Sequence, residues 1–214
     1  MPYGMGADEA LTARPVVDQV LEVICKSWPK PPRHMLDPSA GYGVFGAAMR
    51  QAFPDCTTTG VESHHECFPS LAGNYDYSYA MSLGRALHDL RSEHSKFDLI
   101  ITNPPFSKAL EWIAILRKLL THDGNLIFLA PNGLGQRGRK RSPLFADNLP
   151  KYQFRIMGPI EFKGPEKAAD QRDYSWWQWG RYSSDYHTWL CGQLPWLLPS
   201  RRRWLTPPGK IAAG

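Results

Sequence analysis

The stretch His34-Met35-Leu36-Asp37-Pro38-Ser39-Ala40-Gly41-Tyr42-Gly43-Val44-Phe45-Gly46 decides the fold of this chain. It predicts a short buried strand, a glycine-containing turn and a helix. Its glycines satisfy the G-x-G-x-x-G pattern, in which small residues let a ligand approach the backbone at a helix N-terminus. The next apolar stretch, Thr57 to Val61, ends at an acid, Glu62. This order of elements predicts a cofactor-binding α/β unit in which Glu62 accepts the hydroxyls of a ribose.

Asp37, at the tip of the first strand, distinguishes between two cofactors that this arrangement accommodates. A nicotinamide dinucleotide places an anionic pyrophosphate against the glycine turn and the helix N-terminus, and the carboxylate of Asp37 would repel that group. S-adenosylmethionine carries no phosphate. Its ammonium group is favoured by a nearby acid, and its carboxylate is favoured by the helix N-terminus. The segment Asp37 to Gly41 therefore favours S-adenosylmethionine.

A second chemical feature, Asn103-Pro104-Pro105-Phe106, follows the apolar run Phe97 to Thr102. That run predicts a buried parallel strand, and the prolines end it in a rigid turn because they fix φ and lack backbone donors. The turn presents the side-chain oxygen of Asn103 and the carbonyl of Pro104 as acceptors, with the ring of Phe106 beside them. This arrangement predicts a site for the amine of a planar ring.

Together these segments resemble amino-methylating nucleic-acid methyltransferases, in particular small phage-type adenine-N6 enzymes. Residues 37–45 are similar to motif I and Asn103 to Phe106 to motif IV. Gly60-Val61-Glu62 is similar to motif II, and Leu87-His88-Asp89-Leu90 occupies the place of motif III. The resemblance implies S-adenosyl-L-methionine as cofactor. The cofactor-binding residues that it implies are Asp37, Ser39, Ala40, Gly41, Gly43, Glu62, Asp89 and Asn103.

The resemblance also implies a reaction, direct in-line methyl transfer to the N6 amine of a flipped adenine in DNA. The catalytic residues would be Asn103, Pro104, Pro105 and Phe106. The stretch from Ile160 to Trp179 resembles the end of the phage-type enzymes, which implies that Phe162 packs on the other face of the target base. C5-cytosine methylation is excluded, because its nucleophilic cysteine follows a proline and no cysteine here does.

Three other methyl acceptors remain as alternatives to adenine in DNA. N4-cytosine enzymes resemble this chain closely but usually carry Ser in place of Asn103. Adenine in RNA is compatible with the same motifs. A protein-glutamine N5 methyltransferase uses a similar Asn-Pro-Pro-aromatic turn on a side-chain amide.

The alternation of strands and helices predicts an α/β fold of the class I methyltransferase type, Rossmann-like. We expect a mainly parallel seven-stranded sheet, helices on both faces and a terminal antiparallel hairpin. The pattern predicts helices at 16–27 and 107–120 and a strand at 125–130. One methyltransferase domain is expected over 1–199, with a basic loop region at 133–155 for substrate recognition and a basic C-terminal tail at 200–214.

Basic residues are concentrated in the loop region and predict contact with phosphates. The net charge of +5 and the isoelectric point near 9.0 agree with an anionic partner. Nucleic acid is the expected partner, with DNA favoured over RNA. For the oligomeric state, the sequence is compatible with both a monomer and a homodimer. The cations assigned to the substrate are Arg137, Arg139, Lys140 and Arg141.

The apolar runs, the start of the sequence and the cysteine spacing argue against some classes of protein. The sequence has no apolar run of 18 residues and no signal-peptide pattern at its start, so we expect no membrane partner. The four cysteines show no Cys-x-x-Cys spacing and form no metal-ligand pattern with the seven histidines. The expected location is the cytoplasm, that of the bacterial host if a phage encodes the chain.

Overall fold

The computed structural model describes residues 12–92, 96–134, 145, 148–156, 160, 173–181 and 190–193. The helices are α1 Arg14–Ser27, α2 Val44–Ala52, α3 Phe68–Asn74, α4 Leu83–Ser92 and α5 Ala109–Leu116, with 3₁₀ turns at His65–Cys67 and Arg117–Leu119. The strands are β1 His34–Asp37, β2 Thr57–Glu62, β3 Tyr77–Ala80, β4 Phe97–Thr102, β5 Leu120–Pro131, β6 Tyr152–Arg155, β7 Tyr174–Gly180 and β8 Leu190–Gln193.

All described strands lie in one sheet in the order β3-β2-β1-β4-β5-β7-β6-β8. Neighbouring strands from β3 to β5 are parallel, whereas β7 is antiparallel to both β5 and β6. This order confirms the predicted Rossmann-like fold with its antiparallel end. β8 pairs in parallel with the outer side of β6 and adds one strand to the seven expected.

Successive residues of the central strands pack on opposite faces of the sheet, as the pleat requires. Met35 and Leu99 lie in one core cluster with α1 and α2. Leu36 and Ile100, their neighbours in sequence, lie in a second cluster with α4 and α5. Helices therefore cover both faces, and the carboxyl ends of the parallel strands stay at one edge. In open α/β sheets this edge is where ligands bind.

The aromatic residues of β7 fill the core on both faces. Tyr174 and Trp176 pack in the α1 cluster, and Trp177 and Trp179 pack in the α5 cluster. Each of the four is at most 2 % exposed. Successive residues of β7 thus pack on opposite faces of the sheet, and the three tryptophans act as packing residues of the antiparallel end.

The segment from α5 to β5 differs from the sequence pattern in its bounds. Helix α5 ends at Leu116 in a 3₁₀ turn, and β5 begins at Leu120, before the predicted 125–130. Arg117 in that turn is buried and donates from Nε to the Gly180 carbonyl at 2.8 Å, which connects the turn to the end of β7. The tertiary contact therefore ends the helix early.

The longest helix among the described residues is α1, with 14 residues. A membrane span needs about 20 apolar residues. No helix in the described ranges meets that requirement. The predicted tail at 200–214 lies outside the described residues.

Candidate active site

A cavity of about 450 Å³ opens at the carboxyl edge of the sheet. This volume is within the range of small-molecule sites, about 300–1,000 Å³. Its wall comes from the segments that follow four parallel strands and from the start of α1. The lining residues that the argument uses are Ser39, Ala40, Gly41, Glu62, Asn103 and Pro105.

The glycine turn, Pro38 to Gly43, forms the floor of this cavity. Gly41 and Gly43 have φ of 52° and 85°, in the left-handed region that favours glycine. A Cβ at Gly43 would lie 2.6 Å from the Cβ of Asn74, so this position also has no room for a side chain. The turn leads into the N-terminus of α2, whose first backbone N–H groups lack helical partners and favour an anionic group.

Glu62 fixes the glycine turn against the tip of β2. Its Oε2 accepts the Gly41 N–H at 2.7 Å, and its Oε1 accepts the backbone N–H groups of Ser63 and His64 at 2.7 and 2.8 Å. The His64 ring nitrogen Nδ1 also lies 2.8 Å from Oε1. Each carboxylate oxygen has two lone pairs, so Oε2 retains capacity for a ligand hydroxyl. The role of Glu62 toward a ribose stays a prediction.

Asp37 lies beneath the glycine turn and is not among the residues that line the cavity. Its side chain is fully buried, and it accepts the Tyr75 hydroxyl at 2.8 Å and the Ser39 N–H at 3.2 Å. Burial raises the pKa of this carboxyl to about 7, and the charge of Glu62 adds to the rise, whereas the interactions with Thr102, Tyr75 and Ser39 oppose it. Asp37 therefore acts on the cavity through the turn above it.

The structure does not bring Asp89 to the cavity. Asp89 lies within α4, with its side chain 48 % exposed and beside His88 at 3.1 Å. The residues that follow β3 and line the cavity are Met81 and Ser82, because Ala80 at the end of β3 pairs with Glu62. The contact of Asp89 with the cofactor stays a prediction. β3 is a largely exposed edge strand, so it carries no apolar run that marks its end.

Asn103 and Pro105 lie in the wall of the cavity, directly after β4. The Lys108 N–H donates to the Pro105 carbonyl at 2.9 Å and closes the turn at the start of α5. The side-chain oxygen of Asn103 is buried from solvent. An acceptor amine therefore reaches this oxygen only when the carboxamide or its neighbours move.

Phe106 is half-buried and packs away from the cavity lining. Its ring lies 5.8 Å from that of Tyr174, tilted by 46°. The structure thus places one aromatic of β7 beside the Asn-Pro-Pro-Phe turn. The predicted contact of Phe106 with a target base stays a prediction.

Sequence reasoning missed the apolar wall of the cavity. Trp112 and Ile115 lie one turn apart on α5 and line the cavity, as do Leu83 and Leu87 of α4. Their spacing at i and i+3 on one helix face is a signal, but it equally describes core packing. Lys108 was also missed; it is exposed and lines the same cavity.

The predicted substrate residues Arg137, Arg139, Lys140, Arg141 and Phe162 lie outside the described residues. Within the described residues, no three His, Cys, Asp or Glu side chains are arranged to hold a metal ion.

The lining fits S-adenosyl-L-methionine. The α2 N-terminus suits its carboxylate, Glu62 suits its ribose hydroxyls, and the wall of Leu87, Trp112 and Ile115 suits a flat apolar ring. A cofactor without phosphate needs no cation at the glycine turn. The residues that line the cavity therefore agree with the cofactor that Asp37 and the glycines predict.

Comparison with known proteins also finds similarity to methyltransferases. The family model "Methyltransferase small domain" matches residues 7–139. The release factor glutamine methyltransferase of Enterococcus faecalis (strain ATCC 700802 / V583) is 23% identical over 132 residues, which cover 58% of this chain and 46% of that protein. The chain thus spans about half the length of this curated relative.

Two solved structures share the fold. The type I restriction-modification system methyltransferase subunit of Streptococcus thermophilus has a TM-score of 0.63 at 14% identity, covering 86% of this chain and 47% of that one. The plantazolicin methyltransferase BpumL, solved with a pentazolic desmethylPZN analog and SAH, has a TM-score of 0.53 at 14% identity, covering 77% of this chain and 83% of that one.

The family match covers more than half of the chain and includes the glycine turn, Glu62 and the Asn-Pro-Pro-Phe turn. The chain therefore belongs to the methyltransferase small domain family.

Proposed function

We propose that the protein methylates the N6 amine of adenine in DNA. The observation that carries this proposal is the position of Asn103 and Pro105 in the wall of the cavity that also contains the glycine turn and Glu62. A planar amine bound at Asn103 would lie within the same cavity as the cofactor. We also propose that the base stacks on Phe106 and Phe162.

The chemistry of the proposed reaction follows from the acceptor oxygens. When bound, S-adenosyl-L-methionine supplies an electrophilic methyl group. The Asn103 oxygen and the Pro104 carbonyl accept hydrogen bonds from the two N–H groups of the target amine and favour a tetrahedral nitrogen with a free lone pair. The same oxygens stabilise the positive charge that develops on nitrogen. The methylated nitrogen is acidic and loses its proton to water, so no general base is needed before transfer.

Cations around the cavity support a nucleic-acid acceptor. Lys108 is exposed in the cavity wall near Asn103, and the chain has a net charge of +5. We propose that Lys108 and the loop residues Arg137, Arg139, Lys140 and Arg141 contact phosphates. Neutralising a phosphate releases counterions and makes binding salt-dependent.

Glutamine methylation of a protein is the second candidate. It is supported by the relative from Enterococcus faecalis, which is named for that acceptor. A glutamine carboxamide also presents a planar amine to Asn103. It carries no phosphate, so this candidate gives no role to Lys108.

The competing acceptors can be separated by one comparison of rates. We expect kcat/KM for a mixed-sequence DNA oligonucleotide to exceed the values for the matching RNA and for a glutamine-containing peptide by at least about tenfold, a difference in activation free energy of about 1.4 kcal/mol. Transfer of labelled methyl to each acceptor measures this. Preference for the peptide would replace the DNA proposal by the glutamine candidate.

Replacing Lys108 by Met tests the phosphate contact. We expect kcat/KM for DNA to fall about threefold to tenfold at low salt, since one cation near the acceptor is lost. The slope of log kcat/KM against log salt should decrease in magnitude by about 0.7–0.9. Lys118→Met is the matched control, because Lys118 is exposed on the 3₁₀ turn and does not line the cavity. An unchanged salt slope in Lys108→Met would remove Lys108 from the interface.

A further inference from the structure

Tyr75 is a buried side chain that joins three elements below the glycine turn. It follows α3, is 2% exposed and donates its hydroxyl to Oδ2 of Asp37 at 2.8 Å. Its ring occupies space that two glycines leave open. A Cβ at Gly46 would clash first with the Asn74 carbonyl oxygen and would also lie 2.7 Å from the ring, and a Cβ at Gly60 would lie 2.6 Å from the ring.

These contacts explain the third glycine of the G-x-G-x-x-G pattern in this chain. Gly46 on α2 and Gly60 on β2 both lack side chains where the Tyr75 ring lies between them. Real Cβ contacts do not approach this closely, so a larger residue at either position would displace the ring. The ring position in turn fixes the direction of its hydroxyl toward β1.

The hydrogen bonds continue from Tyr75 to the cavity surface. Asp37 receives the Tyr75 hydroxyl on Oδ2 and the Ser39 N–H on Oδ1. Ser39 lines the cavity, as do its neighbours Pro38 and Ala40. Tyr75 is not among the lining residues, and its hydrogen bond to Asp37 connects it to the cavity.

We propose that Tyr75 is a positioning residue for the cofactor, which holds Asp37 under the glycine turn and favours the negative charge of its carboxylate there. The proposal rests on S-adenosyl-L-methionine as cofactor and is independent of the acceptor.

Because the charge of Asp37 changes with pH, the role of Tyr75 can be measured as a pH dependence of cofactor affinity. Burial raises the pKa of Asp37 to about 7, so the carboxyl is neutral below that pH and anionic above it. S-adenosyl-L-methionine carries a sulfonium, an ammonium and a carboxylate, and its net charge is +1. The anionic form of Asp37 attracts it more strongly, so cofactor affinity should rise as pH increases through about 7.

Other charged groups near Asp37 enter this pH profile. Glu62 raises the pKa of Asp37 by its charge, and His64 contacts Glu62 at 2.8 Å. The variant His64→Gln removes this imidazole from Glu62, and the midpoint assigned to Asp37 should persist in it.

The test is calorimetric titration of S-adenosyl-L-methionine between pH 6 and 9 into the full chain and into Tyr75→Phe. The variant loses one hydrogen bond to the carboxylate, so the midpoint should move up by about one pH unit. Affinity should then be about fivefold lower at pH 7 and nearly equal to that of the unchanged protein at pH 9. Tyr77→Phe is the matched control, because Tyr77 is 63% exposed on the edge strand.

The outcomes separate a positioning role from a structural one. A midpoint that moves up in Tyr75→Phe, with Tyr77→Phe unchanged, supports the proposal. An equal loss of affinity at every pH, or no change, overturns it. If Tyr75→Phe does not fold, Asp37→Asn gives the same information: its affinity should not vary with pH near 7, and a retained midpoint would contradict the role of Asp37.

Discussion

Asn103→Ala is expected to lower kcat for methyl transfer by about 10²–10³-fold, the usual cost of removing one group that stabilises transition-state charge. The substitution removes the side-chain oxygen that the proposed mechanism uses and leaves the Pro104 carbonyl in place. Cofactor affinity should change much less, because the glycine turn and Glu62 are unaltered. Single-turnover transfer of labelled methyl, together with calorimetric titration of the cofactor, measures both quantities.

The matched control for this substitution is Asn125→Ala. Asn125 is also a carboxamide on a central strand, but it pairs with Leu99 and bonds to Gln178, and it is not among the residues that line the cavity. Its loss should leave kcat within about twofold of the original value. Full activity in Asn103→Ala would end the assignment of the Asn-Pro-Pro-Phe turn as the catalytic turn.

Gly43→Ala is expected to weaken cofactor binding by about 10- to 100-fold. The new Cβ would lie 2.6 Å from the Cβ of Asn74, and alanine is strained at a φ of 85°. The backbone of the glycine turn must therefore shift, and its N–H groups leave their positions above α2. We also expect the free energy of unfolding to fall by about 1–3 kcal/mol, which thermal unfolding measures.

Gly73→Ala provides the comparison for Gly43→Ala. Gly73 lies in α3, and a Cβ there would meet no atom within 4 Å. Because alanine is favoured over glycine in a helix, this variant should be unchanged or more stable by up to about 1 kcal/mol. Equal cofactor affinities in Gly43→Ala and Gly73→Ala would contradict the role of the glycine turn.

The fold could be predicted from the sequence because its signals are local. The glycine turn, the apolar strands and the prolines after β4 each define one element, and parallel topology then brings Glu62 and Asn103 to the same edge of the sheet. Confirmed parts of the prediction are the Rossmann-like fold, the mainly parallel sheet and its antiparallel end.

Other parts depend on contacts between distant residues. β3 is polar and exposed, so its end carries no hydrophobic signal, and the sequence gives no sign that Met81 and Ser82 line the cavity. Tyr75 acts through the absence of side chains at two distant glycines, and Phe106 meets Tyr174 only in the folded sheet. Such pairings have no periodicity that a single sequence reveals.

Identification of the methylated group tests the central claim most directly. The full chain is incubated with S-adenosyl-L-methionine deuterated at the methyl group and with DNA, RNA and glutamine-containing peptide together. Each polymer is then digested to nucleosides or amino acids for mass spectrometry. The account expects the deuterated methyl on N6 of deoxyadenosine when the unchanged protein is used. It expects no such label when Asn103→Ala is used. Label found only on glutamine, or on no exocyclic or side-chain amine, would contradict it.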